Sequence, residues 1–371
     1  MKKIFIPIGL SVLLLGACLP FFEKDKEVVI KKLEESTEEM MLIANDQLTV
    51  GLYRTYMPYK KSVSQGLIVN NINTKYDIKE SEEGLSRLSA QHFDPKTYYF
   101  QEGQYIDKDT VKAWLSRSSV NQEGLNPPTT DKMDKQAPIY LAHIVEQNYL
   151  VMNDQKEVQL GGISIGLVMN SIYYTKEGGK VEISADKMAT EGKKFAEKVV
   201  RQLREMDGLS DVPIVVGLFK QQNRESISPG SYFASTVAVK GKSELSNWTS
   251  TKEQYFILPA WSESEGDIYR DINEKFKKFK EDIDKYFPSY VDVIGTLHDK
   301  DNNSQSMKIE IPIQFFGTSE IIGFTQYITL LIIEYFPDIH TEVNITSVNG
   351  PVALIVNGAG KDQPHVHIYG H

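Results

Sequence analysis

Cysteine is all but absent: among 371 residues only Cys18 carries a thiol. The chain can form no internal disulfide and no cysteine-based zinc site, so its fold must rest on an apolar core. Arginine is also scarce, at 7 of 41 basic residues, and acidic side chains prevail to a net charge of −9. Phosphate backbones and anionic lipid both call for clustered basic residues, so nucleic acid is not expected as a partner, nor is polybasic attraction to a membrane. Runs able to span a bilayer are missing too. The most apolar later stretch, Glu320 to Phe336, is broken by Thr325, Gln326, Thr329 and Glu334, and reads as a helix buried in protein.

Signatures of catalysis are lacking as well. There is no Gly-x-Ser-x-Gly elbow and no His-Glu-x-x-His. Gly358-Ala359-Gly360-Lys361 resembles the end of a phosphate loop, but Ile355 stands where its first glycine belongs and Asp362 where a magnesium-binding hydroxyl belongs. That stretch is expected to be a turn. No cofactor and no enzymatic activity are expected. His365 and His367 alternate near the end, with His371 beyond, and could hold zinc or copper only with a third ligand; a terminal strand holds ligands poorly, so no metal is assigned.

What is present begins at the N-terminus. Lys2 and Lys3 precede an apolar run from Ile4 to Leu15, and Leu15-Gly16-Ala17-Cys18 closes it with small residues. A positive start, a short apolar run and a small-residue cleavage zone make an export signal rather than a spanning helix. The ending resembles a bacterial lipobox, which implies cleavage between Ala17 and Cys18 and a diacylglyceryl group on Cys18. Two acyl chains anchor a protein stably where one holds it only marginally. The expected location is the outer face of a cytoplasmic membrane, with Cys18 and its lipid as the anchor and a charge near −11 once Lys2 and Lys3 are removed. Lysine-rich, arginine-poor usage suggests a Gram-positive source.

Beyond the anchor the chain reads as α+β. A tether at 18–26 leads to an N-terminal α/β region at 27–136, opening on an amphipathic helix over Glu27–Asn45. Gly66 to Asn70 reads as a short buried strand, Asp77 to Leu88 as a helix, and Asp107 as the cap of a helix ending at Leu115. Ser116 to Pro138, with Asn126-Pro127-Pro128 at its centre, reads as a linker, bounded at 116–137. Tyr140 to Val151 is a helix or a strand pair, Ile163 to Tyr174 a strand, and Gly178-Gly179 a hairpin turn. Phe195, Val199, Leu203 and Met206 mark one helix, and Ile272, Phe276, Phe279, Ile283 and Phe287 another. Two stretches match each other. Ile163–Asn170, the Phe195–Met206 helix and Val212–Phe219 correspond to Ile309–Phe316, the Phe324–Tyr335 helix and Glu342–Thr346. Two related strand-helix-strand modules forming mixed sheets are expected, at 138–245 and 246–371. The aromatic clusters Tyr98-Tyr99-Phe100 and Tyr173-Tyr174 either line a peptide or glycan groove or pack in a sheet.

Several blocks resemble the CamS family. They are Gly66-Leu67-Ile68-Val69 with Asn71-Ile72-Asn73 and Tyr76-Asp77, Gly84 to Ser89, Tyr99 to Tyr105, Tyr140 to Ile144, Gly162 to Leu167, Tyr286 to Tyr290, and Ile313 to Gly317. Members are Gram-positive lipoproteins described as sex-pheromone precursors, with a repeated module in the body. The resemblance implies that the end of the cleaved leader is trimmed to a short hydrophobic peptide that induces conjugative plasmid transfer. Here that segment is Ser11, Val12, Leu13, Leu14, Leu15, Gly16 and Ala17. The alternative is an extracellular, membrane-anchored binding module for a peptide, glycan or partner protein.

Overall fold

The computed structural model describes residues 52–129, 137–155, 157–175, 178–260, 267–286, 292–301, 303–314, 317–361 and 363–370. Ser11–Ala17, Cys18 and the amphipathic stretch expected at 27–45 lie outside the described residues.

The fold is α+β, built on two mixed sheets. The first runs in the order β1 (Arg54–Thr55), β2 (Tyr99–Glu102), β3 (Leu141–Met152), β4 (Val158–Asn170), β7 (Ile214–Gln221), β8 (Ser231–Ala238), β9 (Thr249–Ser250). A small hairpin, β5 (Ile172–Tyr174) with β6 (Lys180–Glu182), turns at Gly178-Gly179 as expected. The second sheet runs β10 (Glu253–Leu258), β11 (Ile294–Lys300), β12 (Asn303–Pro312), β13 (His340–Ser347), β14 (Gly350–Asn357), β15 (His365–Ile368).

The same path is traced twice. Strand β4 pairs antiparallel with β3 and parallel with β7, and helix α4 (Ala185–Arg204) supplies the crossover that a parallel neighbour requires. Strand β12 likewise pairs antiparallel with β11 and parallel with β13, with α6 (Thr318–Tyr335) between them. In each sheet an antiparallel strand then follows, β8 or β14. The segments matched in the sequence fall on β4 and β12, on α4 and α6, and on β7 and β13.

Helix α4 starts where Ser184 accepts a hydrogen bond from the Lys187 amide, and it buries Phe195, Val199 and Leu203 against Ile165, Leu167, Val216 and Leu218 of the sheet. Helix α3 (Lys108–Leu115), capped by Asp107, adds Val111 and Trp114 to that core. Helix α2 (Lys75–Ser89) packs Leu85 and Leu88 against the alternate strand residues Val168, Val215 and Phe219. Because strand side chains alternate, α2 and α4 lie on opposite faces of the first sheet. The second sheet buries Met307, Ile309, Ile311, Val343 and Ile345 beneath α5 (Asp267–Tyr286) and α6. Its other face carries exposed Lys308 and Glu310 and half-buried Glu342 and Asn344.

Three expectations are corrected. Gly66 to Asn70 is not a strand: Gly66 turns the chain at φ 94° and Ile68–Asn71 forms a single helical turn, α1, with Val69 exposed. Tyr140 to Val151 is one long strand, β3, neither a helix nor a pair. The Asn126-Pro127-Pro128 region is no free linker. Asn126 is fully buried, donates to the carbonyls of Leu115 and Leu141, and accepts from the amides of Tyr140 and Leu141. Residues read as N-terminal to the first repeat therefore build into its sheet: β1 pairs with β2, and β2 with β3. The chain passes from the first sheet to the second between Ser250 and Glu253.

Candidate functional site

A cavity of about 320 Å³ opens where the 59–68 segment crosses α2 and the edge of β3. Its walls are set by backbone bonds. Val63 N–H donates to the Gly103 carbonyl at 3.0 Å, and the Gln104 side chain donates to the Lys61 carbonyl at 2.9 Å, which holds the 59–66 loop against the end of β2. Within that loop the Ser64 amide donates to Ser62 Oγ, a local turn that Gly66 completes.

The carboxylates around the cavity have different duties. Glu146, at the back, accepts from the amides of Gln104, Tyr105 and Ile106 at 2.8 to 3.2 Å, so its lone pairs are occupied in shaping the turn after β2. Gln147 is occupied as well: its amide donates to the Glu82 carbonyl, and its oxygen accepts from Ser86 and Tyr149. Glu83 pairs with Lys79 one helical turn away. Glu82 and Glu102 are different, since neither forms an ion pair with a described lysine or arginine. Crowding by protein atoms, and then the like charges of Glu102 and Glu83, raise the Glu82 carboxyl above its ordinary value. Glu82 is open to solvent as a residue, so water tempers that rise. Burial raises Glu102 too, and the Tyr59 hydroxyl partly offsets it.

His143 is 3 % exposed and lines the same cavity. Burial pushes its imidazole down to about 4, so the ring is neutral at pH 7. The Asn71 amide nitrogen faces its Nδ1 at 3.4 Å; with that nitrogen as donor, the ring proton resides on Nε2. Among the described residues Nε2 has no hydrogen-bond partner, and His143 lines the cavity. Ile68, Phe100 and Val145 give the remaining wall an apolar strip.

The other residues singled out in the sequence do not converge there. His365 and His367 share one side of β15, opposite Val356 and Leu354, and among the described residues no three histidine, aspartate or glutamate side chains gather as a metal set. Gly358 to Gly360 is the expected turn. Of the aromatic clusters, Phe100 lines the cavity and Tyr98 packs on Phe93, while Tyr173 and Tyr174 face Arg117 and Arg224 on the small hairpin. The cavity draws its residues from four distant stretches, so no single one announces it; of the groups singled out in the sequence, Phe100 of the Tyr98-Tyr99-Phe100 cluster lines it.

Two tandem modules of one topology, with a cavity on the first, define an α+β protein of two mixed sheets. A family profile described as CamS sex pheromone cAM373 precursor matches residues 59–363, and the chain belongs to that family. The crystal structure of a sex pheromone precursor from Lactobacillus salivarius is similar over 84% of this chain and 94% of its own, at 33% identity and a TM-score of 0.78. The C-terminal domain of the sex pheromone staph-cAM373 precursor from Staphylococcus aureus is similar over 81% of this chain and 99% of its own, at 30% identity and a TM-score of 0.69. No match is found among curated protein sequences.

Proposed function

We propose that the chain is a lipid-anchored pheromone precursor. Its leader directs export and is cleaved between Ala17 and Cys18, and Cys18 takes the diacylglyceryl anchor. The released Ser11–Ala17 segment is the message, a peptide recognised by shape and apolar burial rather than charge. The body then stands on the outer face of the cytoplasmic membrane, and no catalytic step enters its role. The observation that carries this reading is the Leu15-Gly16-Ala17-Cys18 lipobox placed ahead of a CamS-family body.

Mass spectrometry of the culture supernatant tests it. The expected result is a peptide lying within Leu10–Ala17 that disappears in the Cys18→Ala variant, because the unlipidated precursor is not processed. Absence of such a peptide from a strain that exports the protein overturns the reading. A second reading, favoured by the cavity beside α2, makes the body a membrane-anchored binding module for a peptide, glycan or partner protein.

A further inference from the structure

We infer that the cavity between the 59–68 segment, α2 and β3 binds the amino end of a peptide whose first residue is apolar. Two carboxylates that line it, Glu82 and Glu102, lack a cationic partner among the described residues, and the charge of Glu102 raises the Glu82 carboxyl, so a cation between them is favoured. A divalent metal is the poorer occupant. It demands about six or more converging oxygens, and no such set gathers among the described residues. An organic ammonium needs only two or three acceptors, which Glu82, Glu102 and the serine hydroxyls of the loop supply.

The second observation is independent of charge. His143 is nine-tenths buried and lines the cavity, and with Asn71 donating to Nδ1 its Nε2–H has no acceptor among the described residues. A donor left unpaired beside a cavity calls for a ligand acceptor. An ammonium with a carbonyl one carbon away is the start of a peptide chain, and the apolar strip of Ile68, Phe100 and Val145 receives its first side chain. A free amino acid fits worse, because its own carboxylate would face Glu82, Glu102 and Glu146. A volume of about 320 Å³ lies at the lower limit of small-molecule sites, ~300–1,000 Å³, which suits one or two residues rather than a long ligand.

This inference names a ligand for the binding-module reading and does not depend on release of the leader peptide. Calorimetric titration of the full-length protein in detergent tests it with four probes: leucinamide, leucine, N-acetyl-leucinamide and the tripeptide Val-Leu-Leu. Leucinamide and the tripeptide should bind saturably, leucine at least about tenfold more weakly, and the acetylated probe not at all. Binding of the tripeptide supports a peptide as the occupant, whereas binding of leucinamide without the tripeptide overturns the inference in favour of a small amine. Glu102→Gln and Glu82→Gln should each weaken binding about tenfold, the loss of one charge-assisted hydrogen bond. Glu82 stands open at the mouth, so its variant keeps the test valid if Glu102→Gln fails to fold. The nitrogen resonances of His143 should shift on saturation. Equal binding of the acetylated probe, no saturable binding of either amine, or full binding by folded Gln variants overturns the inference. Saturable glycan binding that moves the His143 signals, with no response to amines, overturns it as well but leaves the binding-module reading standing.

Discussion

At the scale of single residues, Asn126 shows how much one side chain can hold. Its amide donates at 2.8 and 3.0 Å and its oxygen accepts twice at 2.9 Å, so the stretch before β3 is pinned to the end of α3 by one buried group. Asn126→Ala strands buried donors and acceptors and should cost about 3 kcal/mol, read as a lowered denaturant midpoint with an unchanged slope. The sequence around it, with Asn, two prolines and nearby serines, carries every composition mark of a loose linker. Composition reports backbone preference and says nothing about a distant carbonyl such as that of Leu141. Glu82, Glu102 and His143 were hidden for the same reason: no local pattern gives any of them a role, and only the fold brings them to one cavity. Cys18 was legible because its signal is local, a charge, an apolar run and small residues in series.

Among elements, the docking of α2 onto the first sheet turns on one tyrosine. Tyr232 of β8 is buried, and its hydroxyl donates to the Ser81 carbonyl of α2 at 2.6 Å. A Cβ at Gly166 would stand 2.3 Å from that hydroxyl, and one at Gly217 would stand 2.6 Å from the ring. The glycines of β4 and β7 thus form a socket that lets the helix lie close. Gly166→Ala should destabilise the protein by about 2 kcal/mol through overpacking, measured by urea denaturation, and Tyr232→Phe in the same background should recover part of that loss. Periodic patterns gave α4 and α5 away, since their apolar residues recur at helical spacing and their backs are charged. The Gly66 block misled because three apolar residues in a row suit a strand or one helical turn equally, and only the positive φ of Gly66 decides.

Across the whole molecule, α2 also meets the second sheet. Arg87 pairs with buried Glu80 on its own helix, reaches Glu253 of β10 at 3.4 Å and donates to the Tyr255 hydroxyl at 3.2 Å. Lys300 lies 3.4 Å from Glu253, and His298 stacks on Tyr255 at 4.8 Å. Burial alone would raise the Glu253 carboxyl. The His298 ring 3.9 Å away, together with Arg87 and Lys300, outweighs burial and brings it down to about 2. A depressed carboxylate contributes stability that is present above its ordinary 4.5 and is lost as pH falls toward 2, roughly 3 kcal/mol at most. Thermal melts between those pH values should show that loss in the native protein and a flatter profile in Glu253→Gln. Charged residues ordinarily mark surface, which is why this joint escaped the sequence reading while the repeat it joins did not. The connection between the sheets has its own consequence. Only Thr251 and Lys252 separate β9 from β10, a leash of about 11 Å at full stretch. So short a leash holds each half at a high effective concentration of the other, and ion pairs too weak to unite two separate proteins suffice to keep these halves docked.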